Sequence, residues 1–352
     1  MAAASRFPLP RLIGLTLGLA VLAACGGAPK GFLLPTQTPV SGAQKVDMLV
    51  ITTRRASPEP GVVFGGERDP SESVSEIVVS VPPGHRVGKV EWPKSNPPDP
   101  QREFTTVSLS PADRPAVRAW FQRQGGEHAR LLVFVHGFNT RFESSVYRFA
   151  QIVADSGADA APVLFTWPSR GRLFDYEYDR DSAIYSRDAL ERGLARAADA
   201  PEVKEITVLA HSMGTYLTME ALRQLAIRRG RLPAKITAIV LASPDIDPHV
   251  FARQYEALGP DAPHVTIFVS RDDRALQISR LLAGNLLRLG SIDPSQEPYR
   301  SRLEANGKIT IIDLTKLKAG DKLNHGKFAQ SPEVVRLLGT QLINGQVLSD
   351  GR

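Results

Sequence analysis

The chain has 352 residues, and the single cysteine among them excludes an intramolecular disulfide bond. Its 42% hydrophobic and 23% charged residues are ordinary proportions for a soluble globular protein. The length suffices for one large domain with a full core. A net charge of +6 could draw the chain to anionic lipid headgroups, but so mild an excess is more often a solvated surface.

The sequence patterns of common metal and nucleotide sites are missing. There is no C-x-x-C pair, no His-rich tract and no H-E-x-x-H segment, so we expect no metal. No Walker A or Rossmann fingerprint and no internal repeat occur either. We therefore expect neither a cofactor nor a nucleic-acid partner.

The N-terminus has the pattern of a targeting segment. Arg6 and Arg11 precede the apolar run Leu12 to Ala24, which is too short to span a bilayer comfortably. The run leads into Leu-Ala-Ala-Cys-Gly and resembles a bacterial lipobox, in which the cysteine thiol is acylated and becomes the new N-terminus. The alternatives are an ordinary signal peptide cut nearby and an uncleaved anchor. We predict a lipoprotein signal peptide over residues 1–24 and palmitate-type acylation of Cys25.

Lipidation would place the protein in the bacterial cell envelope, attached to a membrane by its acyl chains and facing the periplasm. Gly26 after the cysteine favours sorting to the outer membrane in enteric-type bacteria. Residues 25–45 are rich in Pro, Gly, Ser and Thr, and we predict a flexible tether there. Residues 46–345 are predicted to form the folded domain.

Two apolar runs, Met48 to Thr52 and Ile77 to Val81, open this domain. The proline-dense stretch Trp92 to Pro100 that follows could be a linker between domains. We interpret it as a loop within one domain, because the two preceding runs are the natural first strands of its sheet.

A continuous apolar run from Leu131 to Val135 suits a strand that is buried on both faces of a parallel sheet. The run ends in the loop His136-Gly137-Phe138-Asn139. We expect the imidazole of His136 to be structural, so that only backbone N–H groups of this loop take part in chemistry.

Aromatic and acidic residues alternate in the stretch Trp167 to Ser182. We predict a loop on the substrate side here, followed by a helix over about 182–198. Phe174, Tyr176 and Tyr178 could line a pocket or pack the loop on the domain, and the second interpretation is favoured.

A serine at a strand-to-helix junction is the most informative feature of the sequence. The apolar run Ile206 to Leu209 is followed by A-H-S-M-G, which is typical of the G-x-S-x-G nucleophile elbow with Ser212 at its apex. The turn is crowded, so the residues two before and two after the serine must be small, and Ala210 and Gly214 are. Taken alone the pattern is weak, because a serine at such a junction is often only a helix N-cap.

Three further strands are predicted downstream, at Ile236 to Ala242, Val265 to Ser270 and Ile309 to Leu314. Asp272 and Asp273 follow the second of them, at the edge where parallel sheets bind ligands. Only one of these adjacent carboxylates can face a given partner.

A histidine follows the last strand in a loop with a neighbouring glycine. From there His325 could reach Ser212 as its general base, oriented by an acid through its other ring nitrogen. The order serine, acid, histidine is that of α/β-hydrolases. Asp245 and Asp247 are rival acids after an earlier strand, although their context also suits loop-shaping Asx turns.

With these residues in view, the chain resembles a bacterial α/β-hydrolase family of unknown function whose members are often labelled esterase/lipase superfamily enzymes. The resemblance runs from about 46 to 328. It is carried by ITTRR at 51–55, FGGER at 64–68, VSVPPGH at 79–85, HGFN at 136–139, FTWPSRG at 165–171, AHSMG at 210–214, SPDID at 243–247, residues 270–276 and His325. Ala210 departs from a glycine that is often found there.

The resemblance implies an α/β fold of the α/β-hydrolase type, with a mostly parallel central sheet flanked by helices. It implies a serine hydrolase that cleaves a small-molecule or lipid ester, or a thioester, through an acyl-enzyme. Ser212 would attack, and His325 would take and return the proton. The N–H groups of Met213 and of Phe138 (or Asn139) would stabilise the oxyanion.

The family pattern D-R-A-L at 273–276 assigns the acid to Asp273, with Asp272 and Asp245 as alternatives. A second class of function stays open, a non-catalytic envelope lipoprotein that uses the hydrolase fold as a binding scaffold. The intact serine, acid and histidine favour the enzyme, since a retired site has no reason to keep all three.

Overall fold

The computed structural model describes residues 30–36, 40–124, 129–304, 306–318 and 320–339. The predicted signal peptide and the predicted acylation site at Cys25 lie outside these residues. Among the described residues, no helix is long and apolar enough to cross a membrane.

Nine strands form one sheet in the order β3-β2-β1-β5-β4-β6-β7-β8-β9. They are β1 Gln44–Ala56, β2 Phe64–Val81, β3 Thr105–Pro111, β4 Ala129–Val135, β5 Ala161–Thr166, β6 Val203–His211, β7 Ile236–Ala242, β8 His264–Val269 and β9 Ile309–Asp313. β2 pairs antiparallel with β1 and β3, and the other pairings are parallel. The predicted mostly parallel sheet is confirmed.

Helices cover both faces of this sheet. They are α1 Arg114–Arg123, α2 Phe142–Ser156, α3 Tyr176–Tyr185, α4 Arg187–Asp199, α5 Met213–Arg229, α6 Pro248–Glu256, α7 Arg274–Leu282, α8 Tyr299–Glu304, α9 Lys327–Gln330 and α10 Pro332–Leu337. Short 3-10 helices lie at Leu173–Asp175 and Leu289–Ser291.

The continuous apolar runs of the central strands are explained by burial on both faces. In β4, Leu131, Val133 and Val135 pack into one core cluster, while Leu132 and Phe134 pack into the other. Successive side chains of a strand point to opposite faces, so a strand covered on both faces needs an apolar residue at every position.

Each face has its own set of helices. On the first face α1, α4 and α5 contribute Trp120, Leu194 and Leu222 to the core. On the second face α2 and α9 contribute Phe149 and Phe328. Truncating a buried side chain of this size to alanine costs about 2–5 kcal/mol of stability.

The first two predicted strands lie within β1 and β2, which are longer than predicted. The proline-dense stretch 92–100 joins β2 to β3, two paired strands of the one sheet. It is therefore a loop inside this sheet, as the sequence suggested.

Part of the segment predicted as a flexible tether is packed on the domain. Leu33 is buried, and its N–H donates to the carbonyl of Gly61 at 2.9 Å. The N–H of Thr36 donates to the carbonyl of Thr106 at 2.8 Å. The apolar side chain of Leu33 gains burial here, and the backbone around it is held to the loop between β1 and β2 and to β3.

The helix predicted over 182–198 is in fact two helices. α3 already begins at Tyr176, inside the predicted loop, and ends just before Ser186. The Ser186 hydroxyl donates to the carbonyl of Ser182 at 2.8 Å and lies 2.8 Å from the hydroxyl of Thr53. Such side-chain bonds compete with regular helical bonding, and α4 starts anew at Arg187.

Candidate active site

Ser212 forms the apex of a sharp turn between β6 and α5. Its backbone has φ 52° and ψ −126°, a conformation that a residue with a side chain adopts only under strain. The N–H of Ser212 donates to the carbonyl of Ala242 at 2.9 Å, which ties the apex to the end of β7. The serine is only 4% exposed. The surrounding structure therefore holds a strained serine in a fixed position.

Two glycines give the turn its space. A Cβ at Gly214 would lie 2.3 Å from the carbonyl oxygen of His136, and a Cβ at Gly137 would lie 2.7 Å from the Cβ of Ser212. Either contact would force the backbone apart. Ala210 is fully buried in β6, so a methyl group fits at the position where the family often has glycine.

His325 and Asp273 meet although they lie far apart in the sequence. The Nδ1 atom of His325 lies 2.7 Å from Oδ2 of Asp273. The carboxylate is fully buried, and its other oxygen accepts the N–H of Leu276 at 3.0 Å as the N-cap of α7. A carboxylate can only accept, so Nδ1 donates and Nε2 of the neutral ring is left as an acceptor.

The electrostatics of this pair suit a general base. Burial lowers the pKa of His325, but the charge of Asp273 and its hydrogen bond outweigh burial and raise that pKa above its ordinary value. A carboxylate in this position stabilises the imidazolium that forms when the ring takes a proton.

His211 connects the histidine loop to the elbow. Its ring lies 4.5 Å from the ring of His325, and its Nε2 donates to the carbonyl of His325 at 3.3 Å. Burial, together with the neighbouring His325, lowers the pKa of His211 well below its ordinary value, so this ring is neutral. His325 thus lies beside the residue that precedes Ser212.

None of the hydrogen bonds among the described residues joins the hydroxyl of Ser212 directly to His325. Bonds between a nucleophile and its base are often long without substrate and shorten in the reacting complex. The structure therefore brings acid and histidine into contact and places the serine next to them.

Asp272 is occupied elsewhere. Its Oδ1 accepts from the buried ammonium of Lys327 at 2.6 Å, and its Oδ2 accepts from the side chain of Asn324 at 3.0 Å. The N–H of Arg274 also donates to the carbonyl of Leu323 at 2.9 Å. These contacts fasten the turn after β8 to the loop that bears the histidine.

The two rival acids after β7 also have other partners. Asp245 accepts from the hydroxyls of Ser279 and Tyr176, and it pairs with Arg288 at 3.0 Å. Asp247 caps α6 by accepting two backbone N–H groups, the loop-shaping role that its context suggested. Neither carboxylate is hydrogen-bonded to His325.

The loop after β4 is braced by a buried carboxylate. Asp179 accepts the N–H groups of Asn139 at 3.3 Å and Arg170 at 3.0 Å. Because the Asn139 N–H is engaged, Phe138 is the remaining loop donor of the two that the sequence proposed. Met213 is the first residue of α5, where N–H groups have no partner within the helix.

His136 supports this loop with its neutral ring. Its Nε2 accepts the N–H of Trp167 at 3.1 Å, and its Nδ1 donates to the carbonyl of Gly137 at 2.9 Å. Burial and the nearby Arg54 lower the pKa of His136 to about 3. The ring therefore fixes the course of the loop and carries no charge.

The strongest clamp on this region is one that the sequence analysis did not single out. Arg54 of β1 is buried and donates to the carbonyls of Gly65, Thr140 and Ser169 at 2.8–2.9 Å. Burial lowers its pKa to about 10, so it stays charged. The available signal was an arginine that directly follows the apolar part of β1, Met48 to Thr52.

Comparison with known proteins identifies the family. The model of an alpha/beta hydrolase of unknown function (DUF900) matches residues 113–344. The chain belongs to this family. The part of the DUF900 hydrolase that matches contains the elbow, both loops and strands β4 to β9, whereas β1 to β3 precede it.

A curated relative covers a smaller part of the DUF900 hydrolase. The uncharacterized protein alr1448 of Nostoc sp. (strain PCC 7120) is 27% identical over 154 residues, which are 36% of this chain and 39% of the relative. The match therefore spans less than half of the length of that relative.

Solved structures of similar proteins include esterases. Carboxylesterase CesB (YbfK) from Bacillus subtilis has 12% identity and a TM-score of 0.34, covering 62% of this chain and 85% of its own. The Pyrococcus furiosus esterase PF2001 has 11% identity and a TM-score of 0.34, covering 88% and 92%. The α/β-hydrolase fold of this chain rests on the family match and on the sheet.

Proposed function

We propose that this DUF900 hydrolase is a serine hydrolase that cleaves carboxylic esters or thioesters through an acyl-enzyme. One observation carries the proposal: the 2.7 Å contact between His325 and Asp273 lies beside the strained elbow of Ser212. A strained serine at a strand-to-helix turn, together with a fixed acid and base, is the arrangement of nucleophilic catalysis.

The proposed reaction starts with attack of the Ser212 oxygen on the carbonyl carbon of the ester. The hydroxyl proton moves to Nε2 of His325, and Asp273 holds the resulting imidazolium. The oxyanion accepts from the N–H groups of Phe138 and Met213, each worth about 2.7–4 kcal/mol in comparable sites.

The tetrahedral intermediate then collapses, and the leaving alcohol or thiol takes the proton from His325. Water next attacks the acyl group on Ser212 and gives its proton to the same nitrogen. A second collapse releases the carboxylic acid and returns the proton to the serine oxygen.

A group of exposed apolar side chains supports a lipid ester as the substrate. Phe174 is 92% exposed, and α7 with the residues after it exposes four more. We call this set the apolar patch; it consists of Phe174, Ile278, Leu281, Leu282 and Leu286. An exposed apolar surface of this kind often marks a binding site for a lipid aggregate or another apolar surface.

Tyr176 links the apolar patch to the site. Its hydroxyl lies 3.0 Å from that of Ser279, which is next to Ile278 in α7. The ring of Tyr176 lies 5.2 Å from the ring of Phe138, the proposed oxyanion donor. An acyl chain held at the apolar patch would therefore be near the reacting serine.

We further propose that the protein works in the bacterial envelope, attached by an acylated Cys25 and facing the periplasm from the outer membrane. The sequence at residues 22–26 supports this location. A membrane anchor would keep the apolar patch close to lipid esters.

Labelling by a fluorophosphonate tests the reaction. The wild-type chain should become labelled and should hydrolyse p-nitrophenyl esters, whereas Ser212→Ala should lose labelling and roughly 10³-fold or more in kcat. Ser243→Ala is a matched control, because Ser243 is also buried, follows the next strand and has a positive φ of 47°.

A folded wild-type chain that neither labels nor turns over any ester in a chain-length series would contradict the proposal. That result would instead favour the non-catalytic scaffold. Equal labelling of Ser212→Ala and wild type would show that the nucleophile is another residue.

A further inference from the structure

A cavity lies away from the proposed catalytic centre. It has a volume of about 610 Å³ and lies on the first face of the sheet, between α1 and α4. Its floor consists of apolar side chains of β1, β4 and β5: Leu49, Ile51, Leu131, Val133, Val163 and Phe165. None of the residues proposed to react lines it. The volume is in the range of roughly 300–1,000 Å³ that is usual for ligand sites.

The cavity opens the core at this point. Val163 is 6% exposed and Val133 4% exposed, although both belong to central strands. Leu164, the neighbour of Val163 on the other face of β5, is 0% exposed. The helices α1 and α4 therefore leave the apolar sheet slightly uncovered at Val163 and Val133.

The rim of the cavity is charged. Asp113 is used as the N-cap of α1, where it accepts the N–H of Ala116 at 2.9 Å. The Oε1 atom of Glu202 lies 3.7 Å from Nε of Arg118. Arg114 also lines the cavity, and no acidic partner within ion-pair distance is found for it among the described residues.

On the other side of the rim, Arg196 of α4 pairs with Glu72 at 3.2 Å. Among the rim arginines in the described part of the chain, Arg114 is thus the one without an acid at ion-pair distance. An apolar floor with one such cation at its edge is complementary to an apolar chain that ends in an anion.

We propose that this cavity binds a fatty acid, with the acyl chain on the floor and the carboxylate at Arg114. The inference is independent of the proposed ester hydrolysis, because none of the residues proposed to react lines the cavity. A fatty acid fits better than a cationic or neutral amphiphile, since only an anion pairs with the guanidinium.

Gly193 offers a way to fill the cavity without disturbing the fold. It lies in α4 on the cavity wall, and a Cβ there would be 3.6 Å from Cδ1 of Ile51, an ordinary contact. Gly193→Leu should therefore place its side chain in the cavity. The substitution also replaces glycine in a helix, which favours the helical state.

Binding is measured by titration calorimetry on the full chain carrying Cys25→Ser, so that no acyl chain of its own competes. Laurate should bind, and dodecyltrimethylammonium, which has the same chain with a cationic head, should bind at least about tenfold more weakly. Gly193→Leu should weaken laurate binding by about tenfold or more, while Gly193→Ala stays near wild type. Arg114→Gln should remove the preference for the anion.

Thermal melting of each variant shows that it is folded. Unchanged laurate binding by a Gly193→Leu chain that melts at or above the wild-type temperature would overturn the proposal. So would an absence of laurate binding by the wild type. Loss of binding after fluorophosphonate modification of Ser212, with no effect of Gly193→Leu, would place the fatty acid at the catalytic centre instead.

Light scattering addresses the other possible occupant. A wild-type dimer that becomes monomeric in Gly193→Leu would show that the cavity receives a second copy of the chain. That result would also overturn the assignment to a fatty acid.

Discussion

Replacing Asp273 by asparagine should stop the proposed reaction and leave the fold nearly intact. In the native site Oδ1 of Asp273 caps α7 and Oδ2 accepts from Nδ1 of His325. Asparagine keeps the capping oxygen, and the two residues are equally good N-caps, so the stability should change by less than about 1 kcal/mol.

The substitution also replaces Oδ2, the atom that accepts from His325, and this change should stop the reaction. An amide would offer its N–H to Nδ1 of His325, so the ring proton would move to Nε2. A protonated Nε2 cannot accept the proton of Ser212. A misplaced ring proton of this kind costs about 10⁴-fold in kcat, or about 5 kcal/mol of transition-state stabilisation.

Asp272→Asn is the matched control one residue away. Its carboxylate bonds to Lys327 and Asn324, and its side chain is 39% exposed. The variant should lose about 1–3 kcal/mol of stability. The buried ammonium of Lys327 loses its charged partner, and the partial exposure of Asp272 limits the cost. Its kcat should stay within about tenfold of wild type.

The assay is kcat for a short p-nitrophenyl ester, together with a thermal melt of each protein. Asp273→Asn should lose turnover and keep its melting temperature, whereas Asp272→Asn should lose stability and keep most of its turnover. The assignment of the acid is refuted when Asp273→Asn keeps kcat within about tenfold of wild type, or when Asp272→Asn loses as much turnover as Asp273→Asn.

Three further predictions concern the proposed base, the membrane anchor and the substrate surface. The acid limb of kcat/KM should be centred above pH 6.5, because the proposed base must be neutral and the carboxylate raises the pKa of His325; a limb centred below that value would contradict the pairing. Cys25→Ser should move the protein from the membrane fraction to the soluble fraction and abolish labelling by palmitate; a variant that still sediments with membranes, from a wild type that takes up no label, would exclude the lipobox. The double variant Phe174→Ser, Leu281→Ser should lower the turnover of long-chain esters in vesicles by about tenfold and leave that of a soluble short-chain ester unchanged. An equal loss of turnover on both esters would show that the apolar patch does not bind the lipid substrate.

Local sequence pattern was enough to predict most strands of the sheet and the elbow, whereas β3 was not predicted. A strand buried on both faces favours an apolar run, and β4 has an unbroken one from Leu131 to Val135. The elbow needs small residues around Ser212, and the close approach of Gly214 to the carbonyl of His136 shows why.

The choice among the candidate acids could not be made from spacing. Asp272 and Asp273 follow the same strand, and only the direction of each side chain decides which one meets His325. Arg54 was missed for a related reason, since its partners lie up to 115 residues away and its burial depends on all of them. The start of α3 was misplaced because alternating aromatic and acidic residues are also typical of a loop. The contact between Tyr176 and Ser279 of α7 is not visible in the local sequence.

The fastening of the two site loops has a consequence for how this protein can diverge. Asp272 with Lys327, and Arg274 with Leu323, join the two turns directly and so help to fix the distance between Asp273 and His325. Residues 283–287 lie before the buried Arg288 and Leu289, so changes in this short segment should have little effect on the acid and its histidine. Since the segment contributes Leu286 to the apolar patch, relatives could change this surface while keeping the contact between Asp273 and His325.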